Sequence, residues 1–327
     1  MSNIIVNGGA GFIGHHICVA LSKIGHKVVA VDRMSQLIDS PDKARYRLYI
    51  EERMLLLKEH NVEVVVVDTD DLDGYVSLIE KCSPNVIYHM SAIANARICN
   101  VQPHAGVTEN LVKVENVLEA IRITECKARF VFASSSVAYG NFRSPEVKED
   151  DVLDPINIYG YTKKSSEELV ALNSRLYGLE YAIIRPSALY GPRCVNRRIT
   201  QIIMEKYLTG EAIKINGDGE EELDFTFVDD TVQGFIKAGL DDKVFGEIFN
   251  ITYGQSRSLN ELIGVAKDNL PGLRVEYITR DNVMPFRGTL NVDKAKSMIG
   301  YDPQYPLEKG YPVYIEWYMK NRDKFNF

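Results

Sequence analysis

One glycine spacing limits the fold more than anything else in the chain. Gly8-x-x-Gly11-x-x-Gly14 lies between an apolar run, Ile4-Ile5-Val6, and a stretch with helical periodicity over 12–24. Residues 3–7 read as a strand that turns straight into a helix. Gly8 permits the tight turn, Gly11 lets a pyrophosphate approach the backbone, and Gly14 lets helix and strand pack closely. Phosphates at such a junction meet free N–H groups and the positive end of the helix dipole. Phe12 and Ile13 open the helix beside them. Asp32 closes the next strand about twenty residues on, where a carboxylate meets adenosine ribose hydroxyls. It repels a 2′-phosphate, so NAD is expected over NADP, and the adjoining Arg33 is the residue that opposes this preference. Asp68 closes the third strand and is expected to accept from the adenine amino group. Its alternative is a turn or helix-cap aspartate, the reading given to Asp70 and Asp71.

The first half alternates strand-like and helical patterns. Strands are expected at 3–7, 27–31, 62–67, 86–89, 129–133 and 181–185. Helices are expected at 12–24, 40–60, 72–81, 104–124 and 158–176. Val107, Leu111, Val114, Leu118 and Ile121 form the apolar stripe of the fourth of these helices. Apolar strands separated by helices imply a parallel sheet covered on both faces. The expected class is α/β, a Rossmann-type doubly wound parallel sheet with a smaller mixed α/β C-terminal lobe. Residues 1–186 form the dinucleotide domain, with 228–252 returning to it. Residues 187–227 and 253–327 form the lobe that covers the carboxyl ends of the strands.

Composition narrows the partners. A net charge of −7 and a pI near 5.5 leave no footprint for nucleic acid or an anionic membrane. No apolar run reaches the roughly 18–20 residues of a membrane span. The first strand begins within a few residues of Met1, which leaves no room for a signal peptide. Five scattered cysteines without a C-x-x-C pair read as reduced thiols, so a cytoplasmic location and no metal site are expected.

Tyr159 and Lys163 share a helix face at i, i+4. A free tyrosine, with a pKa of about 10, is a poor base at neutral pH. A neighbouring ammonium stabilises the phenolate, and Lys163 is expected to lower Tyr159 in this way. Ser134, Ser135 and Ser136 stand at the carboxyl end of the fifth strand. Ser135 is placed to hold a substrate hydroxyl and the ketone it becomes. The set points to redox chemistry on an alcohol or ketone.

These residues resemble the extended short-chain dehydrogenase/reductases, in particular the nucleotide-sugar epimerases and dehydratases, over nearly the whole chain. Asn7-Gly8-Gly9-Ala10-Gly11-Phe12-Ile13-Gly14 is similar to T-G-G-A-G-F-I-G, with asparagine for threonine. Asp68-Thr69 resembles an adenine-binding D-I/V, and His89-Met90-Ser91-Ala92 resembles H-L-A-A along the cofactor. Ser135-Ser136-Val137-Ala138-Tyr139-Gly140 resembles S/T-x-x-V-Y-G, and Tyr159-Gly160-Tyr161-Thr162-Lys163 resembles Y-G-x-S-K. Arg185-Pro186 through Gly191-Pro192-Arg193 is similar to R-x-x-N-V-Y-G-P-R, with Pro186 at the cofactor. Gly217-Asp218-Gly219 through Asp229-Asp230 resembles G-D-G-x-x-x-R-D-F-x-x-V-D-D.

The resemblance implies NAD in the first domain, a nucleoside-diphosphate sugar in the second, and a homodimer through a four-helix bundle built from helices 104–124 and 158–176. Two substrate-side residues depart from the pattern: Ala188 replaces an asparagine and Leu223 an arginine. Arg193, Arg197, Arg257 and Arg287 remain as candidates for the diphosphate, Arg287 first. Arg97 and Ser136 are candidates at the sugar. Dehydratases of this type carry acids after the serine or threonine, whereas this chain has Ser136-Val137. The resemblance thus implies a nucleotide-sugar 4-epimerase passing through a 4-keto sugar. The alternative is a C4 dehydrogenase or ketoreductase that releases the keto sugar; a dehydratase or a non-catalytic NAD-binding protein ranks behind both.

Overall fold

Alternate residues of each central strand face opposite ways, and this period of two divides the apolar side chains between two cores. The computed structural model describes residues 1–34, 43–279 and 285–327. Seven strands form one sheet: β1 (Asn3–Asn7), β2 (Lys27–Asp32), β3 (Glu63–Val66), β4 (Val86–His89), β5 (Arg129–Ala133), β6 (Tyr181–Pro186) and β7 (Glu247–Ile251). Their order is β7-β6-β5-β4-β1-β2-β3, and every pairing is parallel. Ile4, Val6, Val28, Ala30, Tyr88 and Val131 pack on one face against helices Phe12–Lys23 and Val228–Leu240. Ile5, Val29, Ile87, Phe130, Phe132 and Ile183 pack on the other against Leu72–Cys82, Lys113–Ile123 and Ile158–Tyr177. Burying each such branched or aromatic side chain stabilises the fold by roughly 1.5–3 kcal/mol. The strand order reverses between β1 and β4, the crevice where open α/β sheets take ligands.

Strand β7 comes late in the chain and pairs with β6 in register, Ile248 opposite Ile183 and Ile251 opposite Pro186. Between and beyond, the chain builds short two-stranded pairings. Leu189–Tyr190 runs parallel with Thr226–Phe227, and Ile213–Asn216 with Val275–Ile278. These pack with helices Ile199–Leu208, Leu259–Asn269 and Leu307–Asn321 around an aromatic core that includes Tyr190, Phe227, Tyr311 and Tyr314. Trp317 is a packing residue here, with rings 5.3 Å from Phe325 and 5.5 Å from Tyr49. Helix Lys43–Glu59 joins the aromatic core to the core on one face of the sheet. Its Tyr46 and Tyr49 enter the aromatic one, and its Leu57 enters the sheet core. The start of this helix anticipated at residue 40 lies outside the described residues.

One expected element is broken. In place of a continuous helix over 104–124, Pro103–Val107 and Lys113–Ile123 flank a π-helical turn, Thr108–Val112. Buried Asn110 accounts for it. Its Oδ1 accepts from Ile93 N at 2.7 Å, its Nδ2 donates to Ile93 O, and its carbonyl accepts from Ser166 Oγ. The extra residue of a π turn rotates the following helix face. Lys113 thereby becomes 2% exposed, while Leu111 stays only half-buried.

Among the described residues no helix is long and apolar enough to cross a membrane, and no His/Cys/Asp/Glu group forms a metal cluster. All five cysteines are free.

Candidate active site

The carboxyl ends of the strands open into two adjoining cavities. The first runs over the glycine turn. Gly8 holds φ +71°, a conformation L side chains rarely adopt, and a Cβ on Gly14 would strike the Gly8 carbonyl oxygen. Gly8, Gly11, Phe12, Ile13, Gly14, Asp32, Arg33, Asp68, Thr69, Met90, Ser91 and Ala92 all line this cavity. Asp32 accepts from Ala10 N at 3.2 Å and Met34 N at 2.9 Å, and burial raises its pKa. The cap of helix Leu72–Cys82 is Asp71, which accepts from Gly74 N, so Asp68 is free of that duty. Asp68 instead accepts from buried Lys113 at 2.5 Å. Asn7, in the place of the expected threonine, is fully buried and satisfied: it accepts from Tyr75 Oη at 2.8 Å and meets His89 Nδ1 at 3.2 Å.

Sequence reasoning missed Arg53. It lines the same cavity, is fully buried, and donates to Ala10 O at 3.1 Å and Arg193 O at 2.5 Å. Burial lowers its pKa to about 10, which leaves a desolvated cation beside the turn. A signal was present. Tyr46, Tyr49, Arg53 and Leu57 fall on one helix stripe, and an arginine in an otherwise apolar stripe needs a reason.

The second cavity, about 510 Å³, shares Phe12, Ile13, Met90 and Ala92 with the first. Ser135, Tyr159 and Lys163 line this second cavity. Asn157 caps the helix Ile158–Tyr177 by accepting from Gly160 N at 2.9 Å, which sets Tyr159 in the first turn and Lys163 one turn later. Lys163 Nζ donates to Ala133 O at 2.7 Å and lies 5.9 Å from the Tyr159 ring centre. Burial lowers Lys163 to about 8, opposed by the charge of Glu167.

The expectation that Lys163 brings Tyr159 down is overturned. Burial pushes the Tyr159 pKa up, and the groups that oppose it are Arg198 and a hydrogen bond with Ser135. Desolvation of a 7% exposed phenol outweighs these.

The arginines separate. Arg97, Arg197 and Arg287 line the second cavity, with Ser136 and Pro186. Arg193 does not, and the expectation for it is corrected: its guanidinium bonds His15 Nε2 at 3.0 Å and Glu52 at 3.4 Å, and it lines neither cavity. Arg257 is held by Glu261 and Glu308 outside the site. Arg198, unnoticed in the sequence although it follows Arg197 directly, lines the cavity and donates to Ala94 O at 3.1 Å. Burial, then the charge of Arg198, lowers Arg287 to about 10. Two crowded guanidiniums in one cavity suit a dianion. Buried oxygens of Ser136 and Ser187 and the Nε atoms of Arg197 and Arg287 have no hydrogen-bond partner among the described residues. Such groups suit a polar ligand, because a buried unpaired donor costs roughly 1–3 kcal/mol. At the end of β5 no acid follows Ser135, and Val137 is buried beside Tyr159.

A family model for the NAD dependent epimerase/dehydratase family matches residues 4–252. The chain belongs to this family. NAD is its cofactor, and the glycine cradle and Asp32 fit it. A putative UDP-glucose 4-epimerase of Methanocaldococcus jannaschii is 31% identical, the match covering 98% of this chain and 99% of that protein. The structure of the Thermotoga maritima UDP-glucose 4-epimerase with UDP-glucose superposes with a TM-score of 0.87, at 28% identity over 98% of this chain and 99% of that one. The Bacillus cereus UDP-glucuronic acid 4-epimerase, solved with UDP-glucuronic acid and NAD, gives 0.86 at 25% identity over 97% and 99%.

Proposed function

We propose that this family member is a nucleotide-sugar 4-epimerase. The observation that carries the reading is the junction of the two cavities. Ser135, Tyr159 and Lys163 stand in the arginine-lined pocket, which adjoins the cofactor cradle through the shared Phe12, Ile13, Met90 and Ala92. On this reading residues 1–186 with 228–252 hold NAD, and 187–227 with 253–327 cover the sugar nucleotide. Gly8, Gly11 and Gly14 take the pyrophosphate of NAD, Asp32 its adenosine ribose, and Asp68 and Thr69 border the adenine. Arg287 and Arg198 clamp the diphosphate of the substrate, in place of the arginine lost at Leu223. Arg97 and Ser136 face the sugar.

Tyr159 Oη accepts the proton of the C4 hydroxyl, and Ser135 donates a hydrogen bond to the same oxygen as it becomes a ketone. Bound NAD supplies hydride acceptance and return at C4. Lys163 stays cationic at neutral pH beside the Tyr159 ring, while the charge of Arg198 and the hydrogen bond of Ser135 favour the phenolate. After the 4-keto sugar turns over in the pocket, Tyr159 returns the proton to the inverted hydroxyl. Lack of an acid at Ser136-Val137 speaks against dehydration, which requires further acid–base groups.

Proton NMR with UDP-, GDP-, CDP- and dTDP-sugars in deuterated buffer, with no NAD added, tests this. A C4 epimer that keeps its C4 proton is expected for one sugar of the panel. A free keto sugar that forms only with added NAD makes the chain a C4 dehydrogenase. Tyr159→Phe is expected to lower turnover by about 10²–10⁴-fold; unchanged turnover removes Tyr159 as the base.

We also infer a homodimer. On helix Ile158–Tyr177, Tyr161, Leu172 and Leu176 recur on one stripe at 56%, 41% and 61% exposure. An exposed apolar stripe on a surface helix marks an interaction face.

A further inference from the structure

We propose that Glu109 selects the cofactor by holding Arg33 away from the adenosine ribose. Arg33 follows Asp32 at the end of β2, and both line the cofactor cavity. In dinucleotide folds an arginine at this place accommodates a 2′-phosphate. Here it is otherwise engaged. Its Nη1 donates to Glu109 Oε1 at 2.7 Å and lies 3.6 Å from Asp68 Oδ2. Glu109 lies in the π turn Thr108–Val112 and lines the same cavity. The same Glu109 oxygen lies 3.2 Å from Lys113 Nζ, and Lys113 in turn holds Asp68. The arginine beside Asp32 is therefore paired with one carboxylate and flanked by two more, Asp32 and Asp68. A phosphate arriving there must displace Glu109 from Arg33 and then face its charge. Preference for NAD thus rests on a residue 77 positions beyond Asp32 as well as on Asp32.

The test is binding, with no sugar present, so its outcome is independent of the proposed reaction. Full-length wild type, Glu109→Gln and Glu109→Gln/Arg33→Gln are compared for the Kd ratio of NADP⁺ to NAD⁺, by displacement of NADH fluorescence. Glu109→Gln is expected to lower that ratio about ten-fold, the scale of one charge-assisted hydrogen bond regained. The double variant is expected to restore it. An unchanged ratio in Glu109→Gln at a wild-type melting temperature overturns the proposal. So does an equal fall in the double variant, because Arg33 would then not be the group released. If Glu109→Gln does not fold, Glu109→Met, which keeps the length of the side chain without its charge, is read by the same criteria.

Discussion

Ala188 stands in the left-handed region, with φ +40°, where the family pattern has asparagine. A Cβ in that region costs roughly 1–2 kcal/mol, and asparagine and glycine tolerate it best. Ala188→Gly is therefore expected to raise the unfolding free energy by about 1 kcal/mol, after the extra freedom of an unfolded glycine is subtracted. Urea denaturation measures this, and a lower midpoint would refute the strain. At this scale much was readable beforehand. Gly8, Gly14, Asp32, Ser135, Tyr159 and Lys163 all stand where their spacing put them, because each depends on neighbours within one or two turns. Arg53, Arg198 and Asn110 were missed. Their partners are Ala10 and Arg193, Ala94, and Ile93 and Ser166, and for Arg53 and Arg198 these lie far off in the chain.

Helix Ile158–Tyr177 arranges Tyr159, Lys163 and Glu167 on consecutive turns of one buried face. Glu167 accepts from Arg185 at 2.6 Å and 3.0 Å and from Ser134 Oγ, and both ion partners are nearly fully buried. The pair ties this helix to β6 and to the serines after β5. Removing one member of a buried pair leaves the other uncompensated, typically at a cost of about 3–5 kcal/mol. Glu167→Gln is expected to fall at the lower end, because an amide oxygen still accepts from Arg185. It also withdraws a charge that raises the Lys163 pKa. Lys163 is cationic below its pKa, near 8, so loss of Glu167 shifts that pKa down. Activity that needs the ammonium is then lost at lower pH on the alkaline side. A pH–rate profile whose alkaline limb does not move would rule out this coupling. Glu167 lay in the sequence in plain view at i+4 from Lys163, but its role depends on Arg185 from a separate strand.

At the scale of the whole molecule, β7 returns late in the chain to the sheet edge, and helix Lys43–Glu59 joins the aromatic core to the sheet core. The cavity between them exists only because both are in place. The exposed stripe Tyr161, Leu172, Leu176 belongs to this scale as well. Light scattering is expected to give the mass of two chains, and Leu172→Lys with Leu176→Lys is expected to give one. A wild-type mass of 36.9 kDa would remove the dimer.

The sequence by itself determined the parallel sheet, its first six strands to within a residue at either end, the glycine turn and the Tyr159–Lys163 face. These follow from periods of 2 and 3.6 and from glycine spacing, which are local properties of the chain. Only the tertiary structure decided that Arg193 turns away from the site while Arg198 and Arg287 enter it, that a π turn interrupts the helix before Lys113, and that burial raises Tyr159 despite Lys163. Each of these depends on desolvation or on a hydrogen-bond partner brought from another part of the chain, and neither quantity exists until the cores close.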